Sequence, residues 1–273
     1  MMISIEFSEE DLKNLGWLLK SVGMKQASLK KSHLLRRVRV RMMRTGCKKF
    51  SEYYQYVQIH KEERQKLFLT FSINITRFFR NADTFQFIEQ QIFPVIRTRV
   101  RNGRPVKIWS AGCADGAEPY SLAMLCEQSN LYPPNVKIIA TDFNHELISK
   151  ARKGIYPQEY LEETSPAIQR KYFSPRASNM VQISPHLLDY IDFRIHNLTL
   201  EGAKVPSSRV DLIVCRNVLI YFSKEQQDHI FQMFHKGLIT HGFLVLGRTE
   251  IVHPRWRDKF KPYNTVHRIA TKI

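Results

Sequence analysis

Cysteine is scarce and scattered in these 273 residues: Cys47, Cys113, Cys126 and Cys215 lie far apart and form no CxxC pair. The spacing supports neither a disulfide framework nor an ordinary zinc site, and a reducing compartment is expected. No two of the ten histidines stand four apart and HExxH is absent, so there is no helical metal-ligand pair and no metal is expected. Nowhere do the roughly 18 apolar residues of a membrane span run together. The opening MMISIEFSEEDL has no basic segment leading into an apolar one, so a cytoplasmic protein without membrane insertion is expected. Acidic residues are also short, 25 against 42 basic ones, for a net charge of +17. That surplus calls for an anionic partner: nucleic acid, an acidic membrane surface or an acidic protein. With 43% hydrophobic and 25% charged residues, the composition excludes a disordered chain.

What is present divides into two textures. Up to about residue 69 the apolar spacing predicts helices. SEEDLKNLGWLLKSVG (8–23) starts with acidic residues, repeats Leu12, Leu15, Leu18 and Leu19, and stops at Gly23. In SLKKSHLLRRVRVRMMRTG (28–46), Leu35, Val38 and Met42 recur at helical spacing and leave Arg36, Arg37, Arg41 and Arg44 to the outside. Ten basic residues and no acidic one fall between Lys25 and Lys49. A third helix is expected from about 51 to 65.

From Val106 onward, short β-type runs alternate with helical ones, the pattern of a parallel sheet covered on both faces. Five strands are predicted, over 106–109, 136–140, 191–195, 210–215 and 243–246, with helices over 119–128, 145–152 and 224–237. The fold class is α/β, a Rossmann-like doubly wound domain over 70–273 preceded by an all-helical domain over 1–69. The alternation breaks between 155 and 190, room for a small inserted β-subdomain. KPYNTVHRIATK (261–272) suits a hairpin at the sheet edge.

The first strand, VKIW, runs into SAGCADGAEPYS, a turn with two glycines leading to a helix with Pro119 in its first turn. Such a turn lets backbone approach a nucleotide-like cofactor, although GxxxG is not the dinucleotide GxGxxG, and a plain tight turn is the alternative. The second strand ends in Asp142, placed to accept both hydroxyls of a ribose, or alternatively to cap the next helix. The fourth ends in VDLIVCRNVLIYF, bringing Arg216, Asn217 and Tyr221 to the same edge.

Together, NITRFFRNADTF (74–85), AGCADGAEPYS (111–121), ATDFNHELISKARKGIY (140–156), RKYF (170–173), HNL (196–198) and CRNVLIYF (215–222) resemble the CheR family of chemotaxis receptor glutamate methyltransferases. The resemblance spans nearly the whole chain. It implies S-adenosylmethionine as cofactor, S-adenosylhomocysteine as product, and glutamate methyl esters on chemoreceptors. Carried over by motif, Asn74, Thr76 and Arg80 reach the cofactor, Glu118 its methionine portion, Asp142 the ribose, and Asn197 and Leu198 the adenine side. Arg216 and Asn217 close the pocket. Arg80 and Tyr221 are the catalytic candidates, with a salt bridge and core packing as their respective alternatives. Arg36, Arg37, Arg41 and Arg44 would meet the Glu-rich helices of a receptor's cytoplasmic domain, or simply form a solvated face.

The chain also departs from the family pattern. Ala114, Asp115, Gly116, Ala117 and Glu118 stand where Ser-Thr-Gly-Glu-Glu is usual, and Gly247, Arg248, Thr249 and Glu250 where Gly-His-Ser-Glu is usual. The SPRASN loop (174–179) is short for the receptor-pentapeptide grip that some members use. Two other readings compete, a nucleic-acid methyltransferase and a non-catalytic adapter. The first lacks an Asn-Pro-Pro-aromatic or Asp-Pro-Pro-Tyr motif after the fourth strand and a Pro-Cys nucleophile, so nucleic acid is not the expected partner.

Overall fold

A computed structural model describes residues 11, 14–18, 31–71, 76–200 and 204–273, with backbone alone at 31–34, 65 and 68–71. Asn74, Leu12, Leu19 and Gly23 lie outside the described residues. The chain divides into two compact units, Met1–Asn74 with Ile220–Lys224, and Ile75–Leu219 with Glu225–Ile273. Five residues from late in the chain thus join the helical unit.

In the helical unit, Leu15 and Leu18 are buried with Val38 and Met42 of α1 (Lys31–Thr45), Phe50, Tyr53 and Val57 of α2 (Phe50–Ile59) and Leu67 of α3 (Lys61–Phe71). Gly46 at φ +76° ends α1, as its position after the apolar stripe implies. The single helix expected over 51–65 is instead α2 and α3, broken at His60 (φ −97°, ψ 99°). The break lets Tyr53 Oη donate to Glu63 Oε1 at 2.7 Å. In a straight helix, residues ten apart would be separated by about 15 Å.

Arg41 corrects the expected outer face of α1. It is 7% exposed, and its guanidinium grips Glu63, Nε donating to Oε1 at 2.9 Å and Nη2 to Oε2. Standing next to Met42 and three residues after Val38, it lies on the margin of the buried stripe. Its planar fork fits the one carboxylate there. Arg36 and Arg44 are exposed and Arg37 half-buried. Glu63→Ala would leave Arg41 charged, buried and unpaired, a cost of about 3–5 kcal/mol in urea unfolding. Arg44→Ala should stay within about 0.5 kcal/mol of the parent.

The second unit begins with α4 (Ala82–Phe87), which continues through a π-helical turn (Ile88–Ile92) into α5 (Phe93–Arg101). A seven-stranded sheet follows, built from β1 (Val106–Ala111), β2 (Val136–Asp142), β6 (Ile191–Ile195), β7 (Val210–Cys215), β8 (Leu238–Leu246), β9 (Phe260–Asn264) and β10 (Ile269–Lys272). Its order is β6-β2-β1-β7-β8-β10-β9. β6 to β8 are mutually parallel, whereas β10 is antiparallel to both β8 and β9, forming the expected edge hairpin. The helices α6 (Ala117–Gln128), α7 (His145–Lys153) and α9 (Lys224–Gly237) follow β1, β2 and β7. The expected insertion is a separate antiparallel sheet of β3 (Ile155–Pro157), β4 (Phe173–Arg176) and β5 (Met180–Ile183), with α8 (Pro166–Tyr172) beside it.

From β1 the chain winds outward to β2 and β6, then returns to the other side of β1 to lay down β7. The order therefore reverses between β1 and β7, and open parallel sheets bind ligands outside the carboxyl ends of their strands at such a point. At the opposite end, fully buried Asp211 is held by Arg99 (2.9 Å), Arg104 (3.0 Å) and the Lys107 N–H (3.0 Å), a structural anchor remote from that crevice.

Candidate functional site

The turn after β1 is built around two constraints. Gly112 has φ +79°, and a Cβ there would stand 2.5 Å from Val218 Cγ2, so only glycine lets the loops after β1 and β7 meet. Gly112 and Cys113 donate their N–H groups to the Thr141 carbonyl, and Ala114, itself at φ +49°, donates to Asp142 Oδ2 at 2.9 Å. Asp142 Oδ1 accepts the Asn144 N–H at 2.9 Å. The helix cap is Asn144, whose Oδ1 accepts from Glu146 and Leu147, so the capping alternative for Asp142 is set aside. Asp142 instead ties the first turn to the end of β2. Burial raises its pKa, against the pull of those backbone donors.

Glu118, in the first turn of α6, accepts from Ser110 Oγ at 2.7 Å and lies 3.7 Å from Arg216 Nη1. Burial pushes its pKa up to about 7; Arg216, Ser110 and Arg80 hold it down, and Glu250 pushes it further up. Arg216 is 8% exposed. Its Nη2 donates to the Arg80 carbonyl at 2.8 Å and Asn81 Oδ1 at 2.6 Å, and its Cζ lies 5.4 Å from the centre of the Phe85 ring. Buried Arg216 Nε has no hydrogen-bond partner among the described residues.

Arg80 is presented by strained backbone. Its neighbours Phe79 (φ 53°) and Asn81 (φ 60°) both occupy the left-handed region, each at about 1–3 kcal/mol. They are held there by their own N–H groups, Phe79 on Ser121 Oγ (2.9 Å) and Asn81 on Glu163 Oε2 (2.6 Å). Phe78 and Phe79 are core residues.

Asp115 brings its carboxylate into the turn under Tyr160, whose hydroxyl donates to Oδ2 at 2.8 Å. Tyr156 Oη donates to the Asp115 carbonyl at 2.7 Å. Burial raises the Asp115 pKa, opposed by Tyr160 and the nearby Thr76 hydroxyl. His196 donates its N–H to the Asp142 carbonyl, setting HNL beside Asp142. Asn197 Oδ1 accepts both the N–H and the hydroxyl of Thr199, and Leu198 is buried.

Glu118, Asp142, Arg80, Arg216, Asn217, Thr76, Asn197 and Leu198 thus gather at the carboxyl edge of one sheet. Tyr221 does not join them within that unit; it packs, partly buried, against the core of the helical unit. Arg36, Arg37 and Arg44 also belong to that unit. Sequence reasoning passed over Ser110, Asn81 and Glu250. Ser110 had one visible signal, a hydroxyl at a strand end before a glycine turn.

Residues 74–269 match a family model described as the SAM binding domain of CheR methyltransferase, and 15–72 match its all-alpha domain. The chain belongs to the CheR methyltransferase family. Similar curated proteins include a chemotaxis protein methyltransferase of Borreliella burgdorferi, 29% identical over 92% of this chain and 91% of its own length. Chemotaxis protein methyltransferase 2 of Pseudomonas aeruginosa is 32% identical over 84% of this chain and 80% of its own. A chemotaxis protein methyltransferase of Listeria monocytogenes is 30% identical over 86% and 87%.

The CheR site fits S-adenosylmethionine by its donor set. That cofactor carries an ammonium, a carboxylate and a ribose. The crevice offers a partly buried carboxylate at Glu118, a buried guanidinium with an unpartnered Nε at Arg216, and Asp142 at the end of β2. Among the described residues no group of His, Cys, Asp and Glu is arranged to hold a metal ion, and no helix is long and apolar enough to cross a membrane.

Proposed function

We propose that this CheR methyltransferase transfers a methyl group from S-adenosylmethionine to glutamate side chains of chemoreceptors, leaving S-adenosylhomocysteine and a glutamate methyl ester. The observation that carries the reading is the chemistry of the crevice, carboxylates and guanidinium groups, in which Glu118, the one carboxyl raised to about 7, is engaged by Ser110 and Arg216 and suits a cofactor ammonium. Burial raises the pKa of Cys113, so it is not held as a thiolate. An acceptor carboxyl with an ordinary pKa near about 4.3 needs no base, because it is already ionised at neutral pH.

When bound, S-adenosylmethionine supplies an electrophilic methyl on a sulfonium. Asn74, Thr76, Arg80, Glu118, Asp142, Asn197, Leu198, Arg216 and Asn217 are the residues proposed to hold it. Glu118 suits its ammonium, Arg216 its carboxylate and Asp142 its ribose hydroxyls. Arg80 offers paired donors to two carboxylate oxygens and so orients an acceptor glutamate. Tyr221, packed against the core of the helical unit, is given no part in holding that group. The pocket thereby acts by alignment.

The receptor surface is proposed to lie on α1, with Arg36, Arg37 and Arg44 facing Glu-rich methylation helices. Arg41 is excluded by its pairing with Glu63. Reversing two exposed charges, Arg36→Glu with Arg44→Glu, should raise the KM for receptor about tenfold while leaving cofactor affinity unchanged, with the gap closing at high salt.

The direct test is transfer of labelled methyl from S-adenosylmethionine to a receptor cytoplasmic fragment, scored as volatile methanol released by mild alkali. Alkali-labile label on glutamate is the expected result. Label only in base-stable linkage would overturn the proposal.

A further inference from the structure

The carboxyl ends of β7 and β8 lie side by side, Cys215 paired with Leu246. The loops leaving them carry N–H groups that no strand partner satisfies. One side chain satisfies four of them. Glu250 Oε2 accepts the N–H groups of Gly247 at 2.6 Å and Asn217 at 2.9 Å, and Oε1 those of Val218 at 2.8 Å and Leu219 at 2.7 Å. Glu250 is 3% exposed. Asn217 stands at φ 59°, and the three successive N–H groups it begins converge on one anion, a concave backbone nest filled from within the protein. The fit leaves no slack, because a Cβ at Gly247 would lie 2.6 Å from Glu250 Oε2 and 2.8 Å from the Asn217 nitrogen.

The segment so held includes Asn217 and directly follows Arg216. Arg216 is buried and bonded to the Arg80 carbonyl and Asn81 Oδ1, so a displacement of its backbone would have to be absorbed by that guanidinium. We infer that Glu250 is a positioning residue for the cofactor pocket, fixing the backbone that presents Arg216 and Asn217 through a four-donor carboxylate cage. The inference rests on the assignment of Arg216 and Asn217 to that pocket. A glutamate is required because both oxygens must accept. A glutamine would turn an NH2 group against two backbone donors, and an alanine would leave all four N–H groups buried and unmet.

The test is binding of S-adenosylhomocysteine to the full chain by titration calorimetry, well below the unfolding midpoint of every variant, paired with amide hydrogen exchange. Glu250→Gln is expected to weaken binding about tenfold or more and to speed exchange of the Asn217–Leu219 amides, while the β1 and β2 amides stay protected. In turnover, the KM for S-adenosylmethionine should rise by the same factor and the KM for receptor should not. A purely structural role would lower the unfolding midpoint without that cofactor-specific change.

Gly247→Ala keeps the carboxylate but pushes on the cage from outside, so it should reproduce the effect and decides the matter should Glu250→Gln fail to fold. Arg216→Lys separates the two readings. If it weakens binding while both cage variants bind like the parent, the positioning role is wrong and the pocket stands. If Arg216→Lys binds like the parent, the pocket assignment fails and the positioning role falls with it.

Discussion

Asp142→Ala is expected to weaken S-adenosylhomocysteine binding by about a hundredfold or more in titration calorimetry. Two losses combine. The carboxylate at the end of β2 is proposed to accept ribose hydroxyls, and hydrogen bonds to a charged group are worth about 1.5–3 kcal/mol each. The same carboxylate holds the Ala114 N–H at 2.9 Å and the Asn144 N–H at 2.9 Å, so its removal also frees a turn in which Ala114 sits at an unfavourable positive φ. At about 1.4 kcal/mol per tenfold change, one lost bond with the loosened turn reaches the hundredfold range. Asp142→Asn keeps the volume but must set an NH2 group against one of the two backbone donors, so an intermediate loss of about tenfold is expected. A loss below about threefold in Asp142→Ala would remove this residue from the pocket.

Glu118→Gln should make the cofactor-free protein more stable at pH 8 while weakening cofactor binding about tenfold or more. The sign follows from the direction of the shift. Burial raises the carboxyl from an ordinary 4.5 to about 7 in the folded protein. The folded state thus binds the proton more tightly than the unfolded one. That contribution is present in full below pH 4.5 and is lost as the pH climbs through 7. Above pH 7 the ionised, 17% exposed side chain leaves the free protein less stable by up to about 3 kcal/mol. Glutamine cannot ionise, so its advantage over glutamate should grow from pH 5 to pH 8 and vanish below pH 4.5 in thermal unfolding. A bound ammonium would favour the carboxylate, so cofactor binding near pH 7 should release protons, seen as an enthalpy that depends on the ionisation heat of the buffer. A midpoint difference that ignores pH would show that Glu118 titrates as an ordinary surface acid.

Much of the fold was legible because its signals are local. All five predicted strands of the parallel sheet occur, with bounds moved by a few residues, since a strand buried on both faces reads as a continuous apolar run. The inserted β-subdomain and the edge hairpin appeared as breaks in that alternation. The single helix expected over 51–65 breaks at His60, where neither proline nor glycine marks the break and where the bend is stabilised by a contact between Tyr53 and Glu63. Arg41 went astray for a related reason: a helical wheel places charge outward by default and cannot show that a carboxylate waits at the margin of the core.

The site was legible in part. The glycine turn, Asp142 and the Arg216–Asn217 pair follow from strand ends and motif resemblance. Glu250 did not, although its tetrapeptide was visible, because a carboxylate in a loop looks the same whether solvated or caged by four backbone donors. The sequence places Tyr221 just after a strand end, whereas its packing partners come from helices more than 150 residues earlier in the chain.

By itself the sequence determined the two textures, the family, the glycine turn after β1 and the basic charge of α1, all properties of neighbours in the chain or of a short period along it. The tertiary structure alone decided which charges are buried and paired, Arg41 on Glu63 and Glu118 beside Arg216, and which side chains hold loops in place, Asp142 and Glu250. These depend on distances between residues remote in sequence, and a carboxylate's pKa and hydrogen-bond partners are set by that surrounding shell.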